Sequence, residues 1–254
     1  MRTRLGETRS DVQSTHALIC QDSHELIELP HWPDCDIVYF SAPALGSQFS
    51  FFSVTAQSAT QIPPPPHDGL RFFLVRSGCA EVHVSGSSYV LEVDGFACLP
   101  PESAATINLQ SQTEILCLER SYVPIKNVPV PPAFFSSISK IPAAPIKGDD
   151  KLHVQHLLPG GPGYDMEINI MTFDPGASLP YVETHFMEHA LMMLKGGGIY
   201  RLGEKWYPVA AGDAIWMAPF CPQWFGALGR ENAQYLIFKN FNRDPIRRQS
   251  STPS

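Results

Sequence analysis

The sequence contains one pattern twice, and this internal repeat constrains the fold more than any other feature. Residues 70–106 and residues 189–223 each contain an apolar strand ending in a glycine turn, a hairpin, a second glycine turn, and an apolar strand that runs into proline. The first turns, Gly78 and Gly197, are 119 residues apart, and the second turns, Gly95 and Gly212, are 117 apart. Short strands separated by such turns are typical of a β-sandwich or small barrel. We therefore expect two tandem β units that differ by two residues in the hairpin.

The composition agrees with an all-β fold and excludes several classes of partner. The 254 residues include 24 prolines and 18 glycines, which favour short strands and sharp turns. A net charge of −7 argues against a nucleic-acid partner, because binding phosphates requires a basic surface. The sequence shows no signal peptide and no apolar run of transmembrane length. Its six cysteines form no CxxC pair, which is typical of thiols in a reducing compartment. We expect a cytoplasmic protein that binds no membrane.

Proline divides the chain into segments. Six prolines between residues 123 and 147 exclude a regular helix and central strands there. The segments that we expect are an N-terminal arm over residues 1–35, a first barrel over 36–122, a Pro-rich linker over 123–148, a second barrel over 149–245 and a disordered tail over 246–254.

The second copy contains a cluster of potential metal ligands, namely Glu183, His185, His189 and, after the second turn, Gln223. Glu183 and His185 are two residues apart, so on a strand their side chains point to the same face. His189 begins the next apolar strand and can return beside them. Two imidazoles, one carboxylate and one amide oxygen suit Mn²⁺ or Fe²⁺ better than a structural Zn²⁺. Four protein ligands also leave two octahedral positions for a chelating substrate.

The first copy does not contain the same ligands. With the offsets of 119 and 117, the four positions fall on Pro64, Pro66, Leu70 and Thr106. His67 is one residue out of register, and a single imidazole does not hold a metal. We therefore expect one metal ion per chain, in the second barrel.

A strand over residues 234–240 adds a cation to the candidate site. Tyr235 and Lys239 share one face of this strand, and the opposite face is also apolar. A buried ammonium without a partner is costly. Lys239 therefore either points into the barrel, where it meets an anionic ligand, or lies exposed on an edge strand. Tyr200 either donates its hydroxyl to the same pocket or is an ordinary packed tyrosine.

The spacing of the cluster resembles the two motifs of the cupin superfamily, with the identities permuted. Glu183 stands in the first histidine position, His189 in the glutamate position and Gln223 in the last histidine position. Beyond the superfamily, the C-terminal half is similar to the (S)-ureidoglycine aminohydrolases, through the stretches INIMTFDPGASLPYVETHFMEH, GGGIYRLGEKWYPVAAGDAIWMAPFCPQWFGALG and YLIFKNFNRDP. With a looser match through FSAPALGSQFSFF and ERSYVPI, the resemblance extends from about Val38 to Pro245.

This resemblance implies a bicupin, with two tandem barrels of the jelly-roll type joined by the Pro-rich linker. It implies the hydrolysis of (S)-ureidoglycine to (S)-ureidoglycolate and ammonia in allantoin and purine catabolism, by a homo-oligomer acting on a small molecule. This is the reaction of a hydrolase acting on a C–N bond of a linear amidine. The resemblance implies manganese ligands at Glu183, His185, His189 and Gln223. It also implies substrate-binding residues at Tyr200, Tyr235 and Lys239, with Glu183 and Lys239 as the catalytic groups.

Two other classes of function remain open at this point. A cupin dioxygenase or decarboxylase acting on a small carboxylic acid uses the same two-histidine, one-carboxylate set. A non-catalytic ligand-binding cupin retains affinity without turnover, although no helix-turn-helix segment accompanies the barrels. The fold alone does not decide among these functions.

Overall fold

The computed structural model describes residues 7–243, and the tail expected over residues 246–254 lies outside them. The strands of the first half are β1 (Asp11–Val12), β2 (His16–Ile19), β3 (Cys35–Ser41), β4 (Ser50–Ala56), β5 (Thr60–Ile62), β6 (Gly69–Ser77), β7 (Ala80–Val84), β8 (Ser87–Leu91), β9 (Gly95–Leu99), β10 (Thr106–Leu109) and β11 (Glu114–Ser121). Those of the second half are β12 (Phe134–Ser137), β13 (Ala144–Ile146), β14 (Asp149–His156), β15 (Glu167–Phe173), β16 (His189–Lys195), β17 (Gly197–Leu202), β18 (Lys205–Ala210), β19 (Ala214–Met217), β20 (Gln223–Ala227) and β21 (Ala233–Lys239).

Helical structure within residues 7–243 is limited to three 3₁₀ turns, at Gln21–Ser23, Pro43–Leu45 and Ile138–Lys140. None of these is long enough to cross a membrane.

The strands form four sheets in two units. The first unit contains a six-stranded sheet in the order β12-β9-β6-β11-β4-β3 and a four-stranded sheet in the order β5-β10-β7-β8. The second unit contains an eight-stranded sheet in the order β1-β2-β19-β16-β21-β15-β14-β13 and a three-stranded sheet in the order β18-β17-β20. Each unit is an all-β, two-sheet sandwich rather than a closed barrel.

Three apolar layers hold the four sheets together. One lies inside each unit, and the third lies between the two large sheets. Phe72 of β6 faces the layer between the units, whereas Phe73 faces the core of the first unit. Because the central strands are buried on both faces, their sequences are nearly continuous apolar runs. The layer between the units includes the contact of Phe49 with Phe238, whose ring centroids are 4.6 Å apart.

Segments from the N terminus and from the Pro-rich region extend these sheets. Strand β2 pairs with β19, so residues of the expected N-terminal arm belong to the large sheet of the second unit. Strand β12 pairs with β9 of the first unit, and β13 pairs with β14 of the second. Both β12 and β13 lie at the edges of their sheets, which is where proline is tolerated.

The two copies align with a constant offset of 118 residues through these strands. Val82 pairs with Tyr89 in the first hairpin, and Tyr200 pairs with Tyr207 in the second. The expected two-residue difference between the hairpins is therefore wrong. It arose because Asp94, with a φ of +67°, takes the left-handed position that Gly212 occupies in the second copy. Asparagine and aspartate tolerate this conformation better than most other residues do.

A buried ion cluster also joins the two units. Asp165, which precedes β15, is fully buried, and its carboxylate lies 3.4 Å from Arg120 of β11 and 3.2 Å from Arg243. The backbone N–H of Val123 donates to the same carboxylate at 3.0 Å. Since removing one partner leaves buried charges uncompensated, this cluster resists separation of the units.

We expect Asp165→Ala to lower the free energy of unfolding by about 3–5 kcal/mol, because two arginines lose their buried counter-charge. The matched control is Glu231→Ala, which removes an exposed partner 3.8 Å from Lys195 and should cost about 0–1 kcal/mol. Urea denaturation measures both values. Similar losses for the two variants would contradict a structural role for the Asp165 cluster.

Candidate metal and substrate site

The candidate site lies where several strands of the second unit end. His189 is the first residue of β16 and Lys239 the last of β21, and the two are directly paired in the sheet. Gln223 begins β20, and its backbone forms a two-bond bridge with Glu183, with both N···O distances 2.8 Å. The sheet geometry therefore brings residues that are up to 56 positions apart to one end of the sandwich.

The side chains of the expected ligands contact one another in part. His185 Nε2 lies 3.2 Å from Glu183 Oε2, and the rings of His185 and His189 are 5.3 Å apart. The hydroxyl of Tyr200 donates to Gln223 Oε1 at 3.2 Å. Hydrogen bonding to His185, reinforced by Lys147, lowers the pKa of Glu183 to about 2 despite its partial burial. Glu183 is therefore an anion at neutral pH.

His189 has a buried nitrogen with no hydrogen-bond partner. The side chain is almost completely buried, and Nδ1 lies 3.1 Å from the carbonyl of Met187. Nε2 has no partner among the described residues. Burial, together with the nearby charge of Lys239, lowers the pKa of His189 to about 3, so the ring is neutral. An Nδ1–H that donates to a carbonyl leaves the Nε2 lone pair free, as in histidines that bind metals.

The nitrogen and oxygen atoms of these residues are suitable ligands for a divalent cation, but their side chains are not arranged as a complete coordination shell. No three His, Cys, Asp or Glu side chains in residues 7–243 lie close enough together to form a metal-binding group. Three of the four candidate ligands form hydrogen bonds with other side chains instead. Glu183 contacts His185, and Gln223 accepts a hydrogen bond from Tyr200. The free Nε2 of His189 is the feature that these contacts leave unexplained.

Lys239 and Tyr235 face the interior of the second unit. Tyr235 and Ile237 belong to its core, and Lys239 lies two residues farther along the same face of β21. Of the two orientations that the sequence left open, the strand therefore adopts the inward one. Burial raises the pKa of Tyr200 and that of Tyr235, so both hydroxyls remain protonated hydrogen-bond donors. Their ring centroids are 6.4 Å apart.

Sequence reasoning missed Lys147, which lies in the turn between β13 and β14. Its ammonium group donates to Glu183 Oε1 at 3.0 Å and to the hydroxyl of Tyr181. Nζ also lies over the Tyr181 ring, 4.0 Å from its centroid. No motif relates these positions, because Lys147 precedes Glu183 by 36 residues and lies in the Pro-rich region.

Glu188, although next to His189, belongs to the layer between the units. Its buried carboxylate accepts from Trp216 Nε1 at 2.6 Å and from the backbone N–H of Gln48 in the first unit. Because its carboxylate contacts Trp216 and Gln48, Glu188 points away from the candidate site.

The first unit has an ion pair at the corresponding positions. With the offset of 118, the counterpart of His189 is Arg71 rather than Leu70, and that of Gln223 is Ala105 rather than Thr106. His67, expected to be out of register, is the counterpart of His185, but its side chain is exposed and lies 3.9 Å from Glu102. Arg71 is fully buried and donates to Glu119 and to the carbonyl of Pro63. A guanidinium group therefore occupies the place where the second unit has an imidazole, and its charge disfavours a metal cation there.

The chain resembles known proteins in both sequence and fold. A profile described as "Cupin domain" matches residues 169–239. The (S)-ureidoglycine aminohydrolase of Arabidopsis thaliana is 37% identical over 242 residues, which cover 95% of this chain and 80% of that protein. The (S)-ureidoglycine aminohydrolase of Escherichia coli K12 is 31% identical over 249 residues, covering 93% of this chain and 95% of that protein. The chain belongs to the (S)-ureidoglycine aminohydrolase family.

Solved structures share the fold of this chain. The crystal structure of the protein Ylba from E. coli superposes with a TM-score of 0.83 at 27% identity, and the match covers 94% of this chain and 96% of that one. An oxalate decarboxylase mutant from Bacillus subtilis superposes with a TM-score of 0.66 at 10% identity, covering 89% and 77%. The latter likeness reflects the tandem cupin fold alone.

We expect Tyr200→Phe to lower the free energy of unfolding by about 0.5–1.5 kcal/mol, because the buried Gln223 oxygen loses its donor. The control is Tyr89→Phe, since Tyr89 is partly exposed and stacks on Phe135 through its ring, which the substitution retains. Chemical denaturation of chelator-treated protein compares the two. A loss for Tyr89→Phe as large as that for Tyr200→Phe would contradict the assigned hydrogen bond.

Proposed function

We propose that this protein hydrolyses (S)-ureidoglycine to (S)-ureidoglycolate and ammonia, using one divalent metal ion per chain, with manganese as the preferred metal. The observation that carries the proposal is the buried, unpartnered Nε2 of His189 beside an inward-facing lysine. Family membership supports the reaction, and the donor set supports the metal. The metal ligands in this proposal are Glu183, His185, His189 and Gln223.

Such a metal supplies Lewis-acid stabilisation of developing negative charge when it is bound. The reaction replaces the amino group of the substrate with a hydroxyl group from water. Water forms a bond from its oxygen to the substrate α-carbon, the C–N bond to the amine breaks, and a proton from water leaves with the ammonia. Glu183 is the carboxylate of the site and carries this proton from the water to the amine.

Lys239 and the two tyrosines orient the substrate. The ammonium group of Lys239 binds the substrate carboxylate, and this ion pair offsets the cost of holding the lysine beside a buried histidine. Tyr235 donates from its protonated hydroxyl, whereas Tyr200 donates to Gln223 and offers its oxygen to the substrate as an acceptor. The two tyrosines confine the α-carbon between them. Three fixed contacts around the α-carbon fit only one enantiomer of the substrate, which accounts for the S stereochemistry.

We also infer that the protein is a cytoplasmic homo-oligomer. All six cysteines are free thiols, as expected in a reducing compartment. Several large apolar side chains are exposed, among them Trp206 at 57% and Phe220 at 68%, and such groups are frequent at subunit interfaces. Light scattering on the purified protein tests the assembly.

We expect manganese-loaded protein to release ammonia from freshly made ureidoglycine faster than the spontaneous reaction does, and to form the S product. Chelation should abolish the activity and manganese should restore it, without oxygen uptake. Elemental analysis should find about one metal per chain, lost in His185→Ala and in His189→Ala. Gln223→Ala should weaken metal binding less, because a neutral amide contributes little charge.

Five outcomes would contradict this proposal. Two metal equivalents per chain, or metal that survives both histidine substitutions, would place the metal elsewhere. Oxygen uptake with a small acid would indicate a dioxygenase, and non-oxidative release of carbon dioxide a decarboxylase. Tight binding of ureidoglycine without turnover above background would indicate a ligand-binding cupin.

We expect Lys239→Met to leave the free energy of unfolding unchanged or higher, while kcat/KM falls by the equivalent of about 2–5 kcal/mol. Methionine retains the apolar length of the side chain and removes only its charge. Lys195→Met, at an exposed position in β16, is the control and should alter neither quantity. Unchanged kinetics, or a large loss of stability, would assign Lys239 a structural role.

A further inference from the structure

We propose that Lys147 and Tyr181 form a second recognition point, which binds the ureido carbonyl oxygen of the substrate and makes the site selective for 2-amino and 2-hydroxy acids with a ureido arm. This inference rests on the proposed function, because it concerns how the site binds the ureido part of the substrate, which Lys239 does not bind.

The first support is that Lys147 is held over the site rather than extended into water. The side chain is 45% exposed, yet its ammonium group contacts both Glu183 and the Tyr181 hydroxyl and lies over the Tyr181 ring. The backbone of the turn is left-handed at Lys147, with a φ of +52°, and at Gly148, with a φ of +78°. A lysine is uncommon in this conformation, so the turn presents its side chain at some conformational cost.

The second support is the arrangement of charge around Glu183. Its Oε2 faces His185, whereas its Oε1 faces Lys147. Lys239 is paired with His189 in the sheet. The candidate ligands thus have one lysine, Lys147, in contact with Glu183 and a second, Lys239, beside His189. A substrate whose carboxylate binds Lys239 extends its remaining arm toward Glu183 and Lys147.

The third support is that Lys147 does not serve the metal. An ammonium group beside a carboxylate ligand repels a nearby cation and competes for the same oxygen. A ureido carbonyl oxygen, by contrast, is a strong hydrogen-bond acceptor, and a charged donor strengthens such a bond. The exposed ring of Tyr181 adds an apolar surface beside the ammonium group, suited to the planar face of a ureido group.

The test compares two ligands that differ only in the ureido arm, which ureidoglycolate has and glycolate lacks. Calorimetry measures the dissociation constants of ureidoglycolate and of glycolate for the metal-loaded protein and its Lys147→Met and Lys147→Arg variants. Lys151→Met is the matched control, because Lys151 is an exposed lysine of the neighbouring strand β14. Metal affinity is titrated separately for every variant in the absence of these ligands.

We expect Lys147→Met to weaken ureidoglycolate binding by about tenfold, the loss of one charge-assisted hydrogen bond, and glycolate binding by less than about twofold. Lys147→Arg should retain most of the affinity, and Lys151→Met all of it. The metal affinity of Lys147→Met should stay the same or increase, because a positive charge is removed. Weaker binding of ureidoglycolate is then not explained by loss of metal.

An equal loss for both ligands, no loss for either, or a fall in metal affinity would overturn the inference and leave Lys147 as a surface ion-pair partner. Turnover of ureidoglycine by the unaltered protein is assayed in parallel. If the unaltered protein hydrolyses ureidoglycine but Lys147→Met does not change the preference for ureidoglycolate over glycolate, only this inference is rejected. Arm-selective binding without turnover rejects the proposed reaction but retains the recognition point.

Discussion

The pairing of β16 with β21 determines both how the two units pack and where the candidate site lies. One face of these strands contributes Ala190 and Phe238 to the layer between the units, and the other contributes Leu191 and Ile237 to the second core. The pairing ends at His189 and Lys239. Because both faces are buried, the register cannot slip without placing apolar groups at the open end of the sandwich. The position of the site therefore depends on the packing of both cores.

The same strand pairing holds different charged side chains in the two units. At equivalent positions, the first unit pairs Arg71 with Glu119, and the second pairs His189 with Lys239. In the first, a cation and an anion neutralise each other and satisfy nearby carbonyl groups. In the second, a neutral imidazole and a cation leave one nitrogen unpartnered and one positive charge facing the interior. Of these two pairs, only the second contains a buried side-chain nitrogen without a hydrogen-bond partner, which is the basis for proposing a cation there.

Several features of the candidate site were predictable from the sequence because they depend on local spacing. The separation of Glu183, His185 and His189 reflects a loop that leads into a strand, and the period of two in β21 placed Tyr235 and Lys239 on one face. The offset between the copies was predicted incorrectly, since a left-handed backbone position is recognised from glycine but was taken by Asp94. The run of glycines at residues 196–198 allowed the same error at the first turn.

What the sequence by itself determined was the all-β class, the tandem repeat and the cluster of candidate ligands in the second copy, because these follow from periodicity, composition and local spacing. Only the tertiary structure decided that β2 completes the second unit's sheet, that Glu188 faces the neighbouring unit and that Lys147 reaches Glu183. The physical reason is that these contacts join segments distant in the chain. Their geometry depends on how the sheets stack, and stacking is a property of the buried layers as a whole rather than of any local pattern.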